Sequence, residues 1–307
     1  MEYRKLGTTG VEVSAIGLGG HEFGPDDFIR GFQDDGKKAV QPGFLFDGFG
    51  GENRTAIVRE ALDLGVNLFD LTIDSEVEAM GRVLKELRPS GELVIQTRPQ
   101  GMVYGYDPEN RQMARYDLLK PEVERLCGLL QRDHVDILNF AFMQAALDAD
   151  PEYLEKIADN IARLKGEGLI RWASADTFSG PQTYLTQYAA GCFDTSFVNY
   201  NIIERANRET VIPAADEAGI GVLCREAFMK ARLFAMAEEA GFSDRSLVAR
   251  SVLQWILREE RISSVMIGVA DPDQLRDNCS VLEVPVAEGD AIIRAIMQTE
   301  ACRSATR

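Results

Sequence analysis

Residues 54–71 read RTAIVREALDLGVNLFDL, and this stretch contains the unit from which the fold is built. A helical pattern runs to Leu64, and Gly65 then supplies the residue type that most often ends a helix. A short apolar strand follows, from Val66 to Leu71. Near-continuous hydrophobicity is expected of a parallel strand that is covered on both faces. The stretch therefore predicts a helix that leads into a buried parallel strand.

The same alternation runs along the whole chain of 307 residues. Eight short apolar strands are predicted, at residues 15–18, 66–71, 93–97, 135–142, 170–174, 196–200, 221–224 and 265–268. Helical patterns lie between them, at residues 154–165, 213–218, 243–258 and 271–279 among others. A hairpin over residues 3–13 precedes the first unit, and an extra helix over residues 288–302 follows the last. This order predicts an α/β fold of the (β/α)8 TIM barrel type, in one domain over residues 1–307.

The alternative to a barrel is an open doubly wound sheet. That fold is usually marked by G-x-G-x-x-G between its first strand and first helix. Here Gly17-Leu18-Gly19-Gly20 runs instead into His21 and a long loop. The barrel is therefore the better interpretation.

The first loop is unusually long, with 33 residues from His21 to Asn53. It carries six phenylalanines and many glycines, which a disordered linker would not. In a barrel it follows the first strand at the carboxyl end of the strands, where active sites lie. We expect either an ordered lid over the pocket or a packed insertion that touches no ligand.

Composition excludes several classes of protein. The formal net charge of −16 disfavours nucleic acid and anionic membrane surfaces as partners. No apolar run is long enough for a membrane helix, and the first residues lack the apolar region of a secretory signal. The five cysteines are far apart and form no C-x-x-C, which favours reduced thiols in the cytoplasm. A small-molecule substrate is the expected partner.

Four segments together carry a family resemblance: residues 4–19 (RKLGTTGVEVSAIGLG), 61–70 (ALDLGVNLFD), 168–171 (GLIR) and 216–222 (DEAGIGV). Ile267-Gly268, followed by Gln274 and Asn278, continues the match in the same order. The chain resembles an aldo/keto reductase along nearly its whole length. The resemblance implies a (β/α)8 barrel with an N-terminal hairpin and NADP(H)-dependent reduction of carbonyls.

The catalytic positions implied by the resemblance are largely changed. Asp70 matches the family aspartate, but the tyrosine position five residues later is Ser75. The lysine position is Arg98, and the histidine position is Ala141. An arginine can bind a carboxylate or stabilise an oxyanion, but it cannot act as a base in the way a lysine can.

The cofactor positions differ too, so NADP remains possible only by resemblance. The Ser-Asn pair that holds the nicotinamide amide in the family reads Asp176-Thr177, and the family glutamine of strand six falls at Phe197. The basic residue that often meets the 2′-phosphate falls at Ala270. Gly268, Gln274 and Asn278 remain as candidate cofactor-binding residues.

Ionisable and polar side chains collect at the predicted strand ends and just beyond. Histidine is a natural proton shuttle, and His21 follows the first strand. The candidate catalytic residues are His21, Asp70, Arg98 and Tyr104. The candidate substrate-binding residues are Glu22, Tyr106, Asp176, Asn199 and Arg225.

Each candidate also has a structural interpretation. Asp70 can hold a strand-end network with Arg98, because their strands are adjacent. Glu22, Asp74 and Glu76 can be solvated or capping, since Asp74-Ser75-Glu76 suits a helix N-terminus, and Arg225 can pair with its neighbour Glu226. His134 precedes the fourth strand, at the opposite end of the barrel. No spacing motif supports a metal site, so no metal is expected.

Three functions stay open. The first is an enzyme that performs acid–base chemistry, such as elimination, hydration or isomerisation, on a small polar carbonyl or sugar-like compound. The second is an NADP-dependent oxidoreductase with a substitute proton donor. The third is a non-catalytic binding barrel, which the dense set of ionisable groups disfavours.

Overall fold

The computed structural model describes residues 1–24, 28–229, 232–281 and 284–305. A two-stranded antiparallel hairpin, β1 (Tyr3–Lys5) and β2 (Glu12–Ser14), opens the chain. The eight strands that follow are β3 (Ile16–Gly19), β4 (Leu68–Asp70), β5 (Val94–Thr97), β6 (Val135–Ala141), β7 (Ile170–Asp176), β8 (Thr195–Asn199), β9 (Gly221–Arg225) and β10 (Ile262–Ile267). They close into one parallel barrel in the order β10-β3-β4-β5-β6-β7-β8-β9. The predicted barrel is confirmed, and its first strand ends at Gly19, one residue beyond the predicted range of 15–18.

Helices alternate with these strands. Their bounds are α1 (Phe32–Ala39), α2 (Glu52–Asp63), α3 (Asp74–Leu87), α4 (Tyr116–Leu130), α5 (Gln144–Ala149), α6 (Tyr153–Gly166), α7 (Pro181–Ala189), α8 (Val211–Glu217), α9 (Arg232–Glu239), α10 (Arg245–Leu257), α11 (Pro272–Cys279), α12 (Val286–Met297) and α13 (Glu300–Ala305). Short 3-10 helices cover Tyr104–Tyr106 and Ala206–Arg208. Across the described ranges, every helix is too short or too polar to cross a membrane.

The hairpin closes the amino-terminal end of the barrel. Leu6 and Val13 are fully buried against a layer of large apolar side chains inside the barrel. That layer consists of Leu68, Val94, Ile137, Trp172, Phe197, Leu223 and Met266. Gly7 allows the close approach, since a Cβ there would lie 2.4 Å from the backbone nitrogen of Gly221. The carboxyl end of the barrel is therefore the end left for a site.

The long first loop is an ordered insertion, whose residues 25–27 lie outside the described part. It contains α1, a short polar helix with a kink at Asp35 that its sequence pattern does not predict. Phe32, Phe46 and Phe49 pack with Ile73 at the start of α3. Both interpretations of this loop assumed order, and its packing shows that the glycines and phenylalanines build a small satellite core.

The predicted last helix over residues 288–302 is wrong as a single element. It is two helices, α12 and α13, separated at Gln298 and Thr299. The Thr299 hydroxyl accepts a hydrogen bond from the Cys302 backbone nitrogen at 3.2 Å. A threonine in this role starts a new helix, which explains the interruption.

Candidate active site

The carboxyl ends of the strands bring five of the predicted residues to one mouth of the barrel. Asp70, Asp176, Asn199 and Arg225 are the last residues of β4, β7, β8 and β9, and Arg98 follows β5 directly. Parallel strands leave all these ends on the same side, so a shared site follows from the topology. The arrangement consists of two ion pairs with one tyrosine between them.

The first ion pair joins Arg98 to Asp70, as the sequence predicts. Arg98 Nη2 donates to Asp70 Oδ1, which also accepts from Gln96 Nε2 at 2.9 Å. Arg98 is 4% exposed, yet its Nε has no hydrogen-bond partner among the described residues. A buried donor that lacks a partner is available to an incoming acceptor or a water molecule.

The second ion pair joins Arg225 to Asp176, which corrects the expected pairing of Arg225 with Glu226. Arg225 Nη2 lies 2.6 Å from Asp176 Oδ1, and Nη1 donates to Oδ2 at 2.8 Å. Arg225 Nε also donates to Asn199 Oδ1 at 2.6 Å. Asn139 completes the pair from inside the barrel, donating to Asp176 Oδ2 at 3.1 Å. One charge-assisted hydrogen bond and a second close contact between the charges make this pair a fixed part of the mouth.

Tyr104 bridges the two pairs. Its hydroxyl donates to Asp176 Oδ2 at 2.7 Å and lies 3.4 Å from Arg98 Nη1 and 3.1 Å from Arg225 Nη1. Burial raises the pKa of Tyr104 well above its ordinary value, and the negative charge of Asp176 raises it further. The structure thus brings Tyr104 into the site, but with its proton directed at a carboxylate.

His21 lies at the same mouth, paired with a carboxylate that the sequence interpretation placed in solvent. His21 Nδ1 lies 2.8 Å from Glu76 Oε1, and Glu76 Oε2 accepts from the Thr72 backbone nitrogen at 2.7 Å. Glu76 is 3% exposed, so the solvated alternative is wrong for this residue, whereas the predicted helix start is confirmed, since α3 begins at Asp74 and Glu76 accepts from the backbone just before it. The first turn of α3 faces inward here, against the insertion and the end of β3. The side chain of His21 is 32% exposed.

The pair affects both pKa values. Burial by itself lowers the pKa of His21, but the charge and hydrogen bond of Glu76 outweigh burial, and the result is a raised pKa. Burial by itself raises the pKa of Glu76, but His21 and the Thr72 backbone hold it below its ordinary value. A histidine fixed at one ring nitrogen by a carboxylate is suited to proton transfer at the other.

Two candidate substrate-binding residues lie at the edge of the mouth. Glu22 accepts from Arg30 Nη1 at 2.8 Å and from the Gly50 backbone nitrogen at 2.6 Å, so it holds the insertion together. Tyr106 is exposed, and its ring meets that of Tyr104 edge-on. Glu22 therefore has a structural role, whereas Tyr106 stands where a ligand could touch it.

The candidate cofactor residues lie around β10 and α11. A Cβ on Gly268 would lie 2.7 Å from the ring of Phe23, so the insertion packs closely on this glycine. Gln274 Oε1 accepts from the Ala270 backbone nitrogen at 3.0 Å, and Asn278 is buried. These side chains serve the local structure of the β10–α11 connection.

Sequence reasoning missed three contributors: Glu76, Asn139 and Phe178. The ring of Phe178 lies 4.2 Å from Arg225 Cζ and 4.9 Å from the ring of Tyr104. The inward alternation of β6 could have indicated Asn139, but nothing in the sequence singled out Phe178. His134 contacts Asp136 at the start of β6, far along the strand from the mouth, as expected. Among the described residues, no three metal-binding side chains form a cluster.

Known proteins match this chain in sequence and in fold. A model of the aldo/keto reductase family matches residues 49–247. The aldo-keto reductase YhdN of Bacillus subtilis is 26% identical over 237 residues, which are 73% of this chain but 63% of that protein. The chain therefore matches less than two thirds of that relative's length. The L-galactose dehydrogenase of Arabidopsis thaliana is 24% identical over 316 residues, 92% of this chain and 88% of that one.

A solved structure is similar over almost the full length. The aldo-keto reductase AKR11C1 from Bacillus halodurans, in its holo form, superimposes with a TM-score of 0.68 at 20% identity, covering 96% of each chain. That likeness bears on the fold, and the family model bears on descent, because it covers more than half of the sequence. The chain, with its parallel barrel, its hairpin floor and its aspartate at the end of β4, belongs to the aldo/keto reductase family.

Proposed function

We propose that the chain is an enzyme that transfers protons on a small hydroxy or carbonyl compound of sugar or sugar-acid type, with His21 as the acid–base group. The observation that carries this proposal is the contact between His21 Nδ1 and Glu76 Oε1 at 2.8 Å. Elimination, hydration and isomerisation each need such a group near neutral pH.

The chemistry follows from how each nitrogen of His21 is used. Glu76 holds Nδ1, which orients the ring and leaves Nε2 for a substrate. A neutral Nε2 can remove a proton from the carbon next to a carbonyl group, and the protonated ring can return it to a neighbouring carbon. Because the side chain of His21 is partly exposed, a substrate at the mouth can reach it.

Arg98 supplies the complementary charge. Removal of that proton leaves negative charge on the carbonyl oxygen of the substrate, and a fixed guanidinium stabilises it. Arg98 retains an unpartnered Nε among the described residues, and Asp70 fixes its orientation. Asp70 is in this view a positioning residue, and Arg98 is the oxyanion-stabilising one.

The names of the relatives support the substrate class. One relative is an L-galactose dehydrogenase and another is an L-glyceraldehyde 3-phosphate reductase of Escherichia coli. Both names point to small polyhydroxylated carbonyl compounds. A ligand of that kind suits a mouth lined by two guanidinium groups, a histidine and a tyrosine.

Carbonyl reduction with Tyr104 as proton donor is the second candidate function. The named relatives are reductases and dehydrogenases, and the structure does place Tyr104 between Arg98 and Arg225. However, the hydroxyl proton of Tyr104 is bound by Asp176, and its raised pKa makes it a weak acid. These two facts favour His21 as the group that reacts.

Proton exchange with solvent tests the proposal directly. A panel of aldoses, ketoses, aldonates and uronates is incubated with the protein in D₂O, and deuterium next to the carbonyl group is followed by NMR. We expect exchange with at least one member, slowed by about 10²- to 10⁴-fold in His21→Ala. His134→Ala is the matched control, because it removes the other histidine at the far end of β6 and should leave the rate unchanged.

Two results would contradict the proposed function. Reduction of a panel aldehyde with NADPH at about one turnover per second, lost in Tyr104→Phe but kept in His21→Ala, would replace this proposal by the second candidate. Exchange that is equally fast in wild type and His21→Ala would also refute it.

A further inference from the structure

We propose that the ion pair between Asp176 and Arg225 occupies the position at which, by the family resemblance, the nicotinamide amide would bind. This chain therefore does not bind NADP(H) in the way that the family does. The inference concerns cofactor binding and does not depend on the chemistry proposed for His21.

The polar groups at this place do not match a carboxamide. An amide needs an acceptor for its NH₂ group and a donor for its carbonyl oxygen, whereas an ionised carboxylate offers acceptors alone. Asp176 is 0% exposed; its Oδ2 accepts from Arg225, Tyr104 and Asn139, and its Oδ1 lies 2.6 Å from Arg225 Nη2 without a hydrogen bond. Both oxygens thus face the protein, and neither can donate to the carbonyl oxygen of an amide.

Thr177, the second residue of the implied pair, is also occupied. Its carbonyl oxygen accepts from Tyr184 at 3.1 Å and from Arg225 Nη2 at 3.3 Å. Its hydroxyl accepts from the Ser179 backbone nitrogen at 3.0 Å. Both positions therefore use several of their hydrogen-bonding groups within the protein itself.

The space beside the pair is occupied by side chains as well. Arg225 Cζ lies 4.2 Å from the centre of the Phe178 ring and 5.0 Å from that of the Phe197 ring. Phe197 takes the position of the family glutamine, so an aromatic ring replaces a further polar partner. A guanidinium among aromatic rings is a favourable arrangement in its own right.

At the other end of the implied cofactor path, the basic residue that the family resemblance implies is replaced. Ala270 stands at the position of the basic residue that meets the 2′-phosphate. Arg276, the basic residue of α11, is 2.9 Å from Glu60 and 2.6 Å from Asp273. With a net charge of −16 on the chain, a ligand with several phosphate charges gains little attraction here.

Displacement of the pair would be unfavourable. Separating two buried charges leaves each without its partner, which is among the most destabilising single changes in a protein. A dinucleotide would have to do this to place its amide at Asp176. The ion pair thus holds the position that the nicotinamide amide would need.

Direct titration tests this inference without any substrate. Wild-type protein is titrated with NADPH and with NADH, and binding is followed by cofactor fluorescence and by thermal shift. We expect no saturation up to about 1 mM cofactor. Half-saturation below about 100 µM would overturn the proposal.

A double variant identifies the cause. Asp176→Ser with Arg225→Leu removes both charges, so neither is left buried and unpaired, and it restores the serine of the family. We expect it to bind NADPH at least about ten-fold more tightly than wild type, equivalent to about 1.4 kcal/mol. The control, Asp136→Asn with Arg132→Gln, removes an ion pair with a buried carboxylate at the other end of the barrel and should leave binding undetectable.

Each result of the double-variant experiment bears on whether the ion pair excludes the cofactor. A folded double variant that still does not bind would show that the ion pair is not what excludes the cofactor, and the proposal falls. If the double variant does not fold, as judged by circular dichroism, the wild-type titration decides by itself. Deuterium exchange by His21 is measured separately, so failure here leaves the proposed function to its own test.

Discussion

At the scale of single residues, the pairing of His21 with Glu76 is the feature that gives the site a group able to titrate near neutral pH. Glu76 stays ionised because its pKa is held low, and it raises the pKa of His21 in turn. In the folded state the histidine therefore keeps its proton to a higher pH than in the unfolded chain. That difference links the pair to stability.

The linkage predicts how stability depends on pH. The contribution of the raised pKa is complete below the unfolded value of about 6.5 and is lost as the pH rises through the folded value. Glu76→Gln keeps the shape of the pair but removes its charge. We expect the melting temperature of wild type to exceed that of Glu76→Gln most at about pH 5 to 6, and the gap to shrink towards about pH 9.

Thermal melts at several pH values check this prediction. Glu124→Gln, a change at an exposed position of α4, serves as the control and should show a small gap at every pH. A gap between wild type and Glu76→Gln that does not vary from about pH 5.5 to 9 would contradict the assigned pairing.

How much of the site the sequence predicts depends on how far apart the strands are. Asp70 and Arg98 follow from the sequence because β4 and β5 are neighbours and both residues stand at strand ends. Arg225 and Asp176 were also named as candidates, but their pairing was not predicted, because β8 lies between β9 and β7 and the contact depends on the reach of a long side chain across the mouth. Glu76 was misjudged because its helix start is covered by an insertion whose path no local pattern defines.

At the scale of elements, the insertion and the first turn of α3 form one unit. The side chains of α3 accept from backbone nitrogens of the insertion: Asp74 Oδ2 from Gly43 at 2.7 Å, and Ser75 Oγ from Phe46 at 2.9 Å. Gln100, after β5, donates to the Ala39 carbonyl oxygen at 2.8 Å. The strands and most long helices were predicted from hydrophobic pattern, whereas this unit depends on side-chain-to-backbone contacts that leave no periodic trace.

Ser75→Ala removes one of these contacts, the hydrogen bond from the Phe46 backbone nitrogen to Ser75 Oγ. The Phe46 amide loses its acceptor, at a cost of about 1 kcal/mol, while the barrel strands are untouched. We expect hydrogen exchange at Phe46 to become roughly five- to ten-fold faster, with exchange in β6 and β7 unchanged.

Hydrogen-exchange mass spectrometry over residues 41–50 measures the effect. Thr186→Ala, which removes a hydroxyl that bonds within its own helix α7, is the matched control. Unchanged exchange at Phe46 in Ser75→Ala would mean that the phenylalanine packing, rather than α3, holds the insertion in place.

At the scale of the whole molecule, the hairpin connects the start of the chain to the interior of the barrel. Leu6 is fully buried in the apolar layer at the amino-terminal end, together with Trp172 and Met266. Leu6→Ala leaves a cavity that rigid strands cannot close. We expect it to lower the free energy of unfolding by about 2 to 5 kcal/mol.

Urea denaturation followed by tryptophan fluorescence checks this prediction, since Trp172 lies in the same layer. Leu45→Ala removes the same atoms from a leucine that is 43% exposed and should cost much less. Similar losses in the two variants would show that the hairpin is peripheral to the stability of the barrel.

The hairpin floor also has a kinetic consequence. The hairpin closes the amino-terminal end of the barrel, so a ligand that enters at the carboxyl end must also leave there. A product that dissociates slowly blocks the binding of the next substrate molecule. Under the proposed function, substrate and product would use the same end of the barrel, so we expect product inhibition that is competitive with substrate.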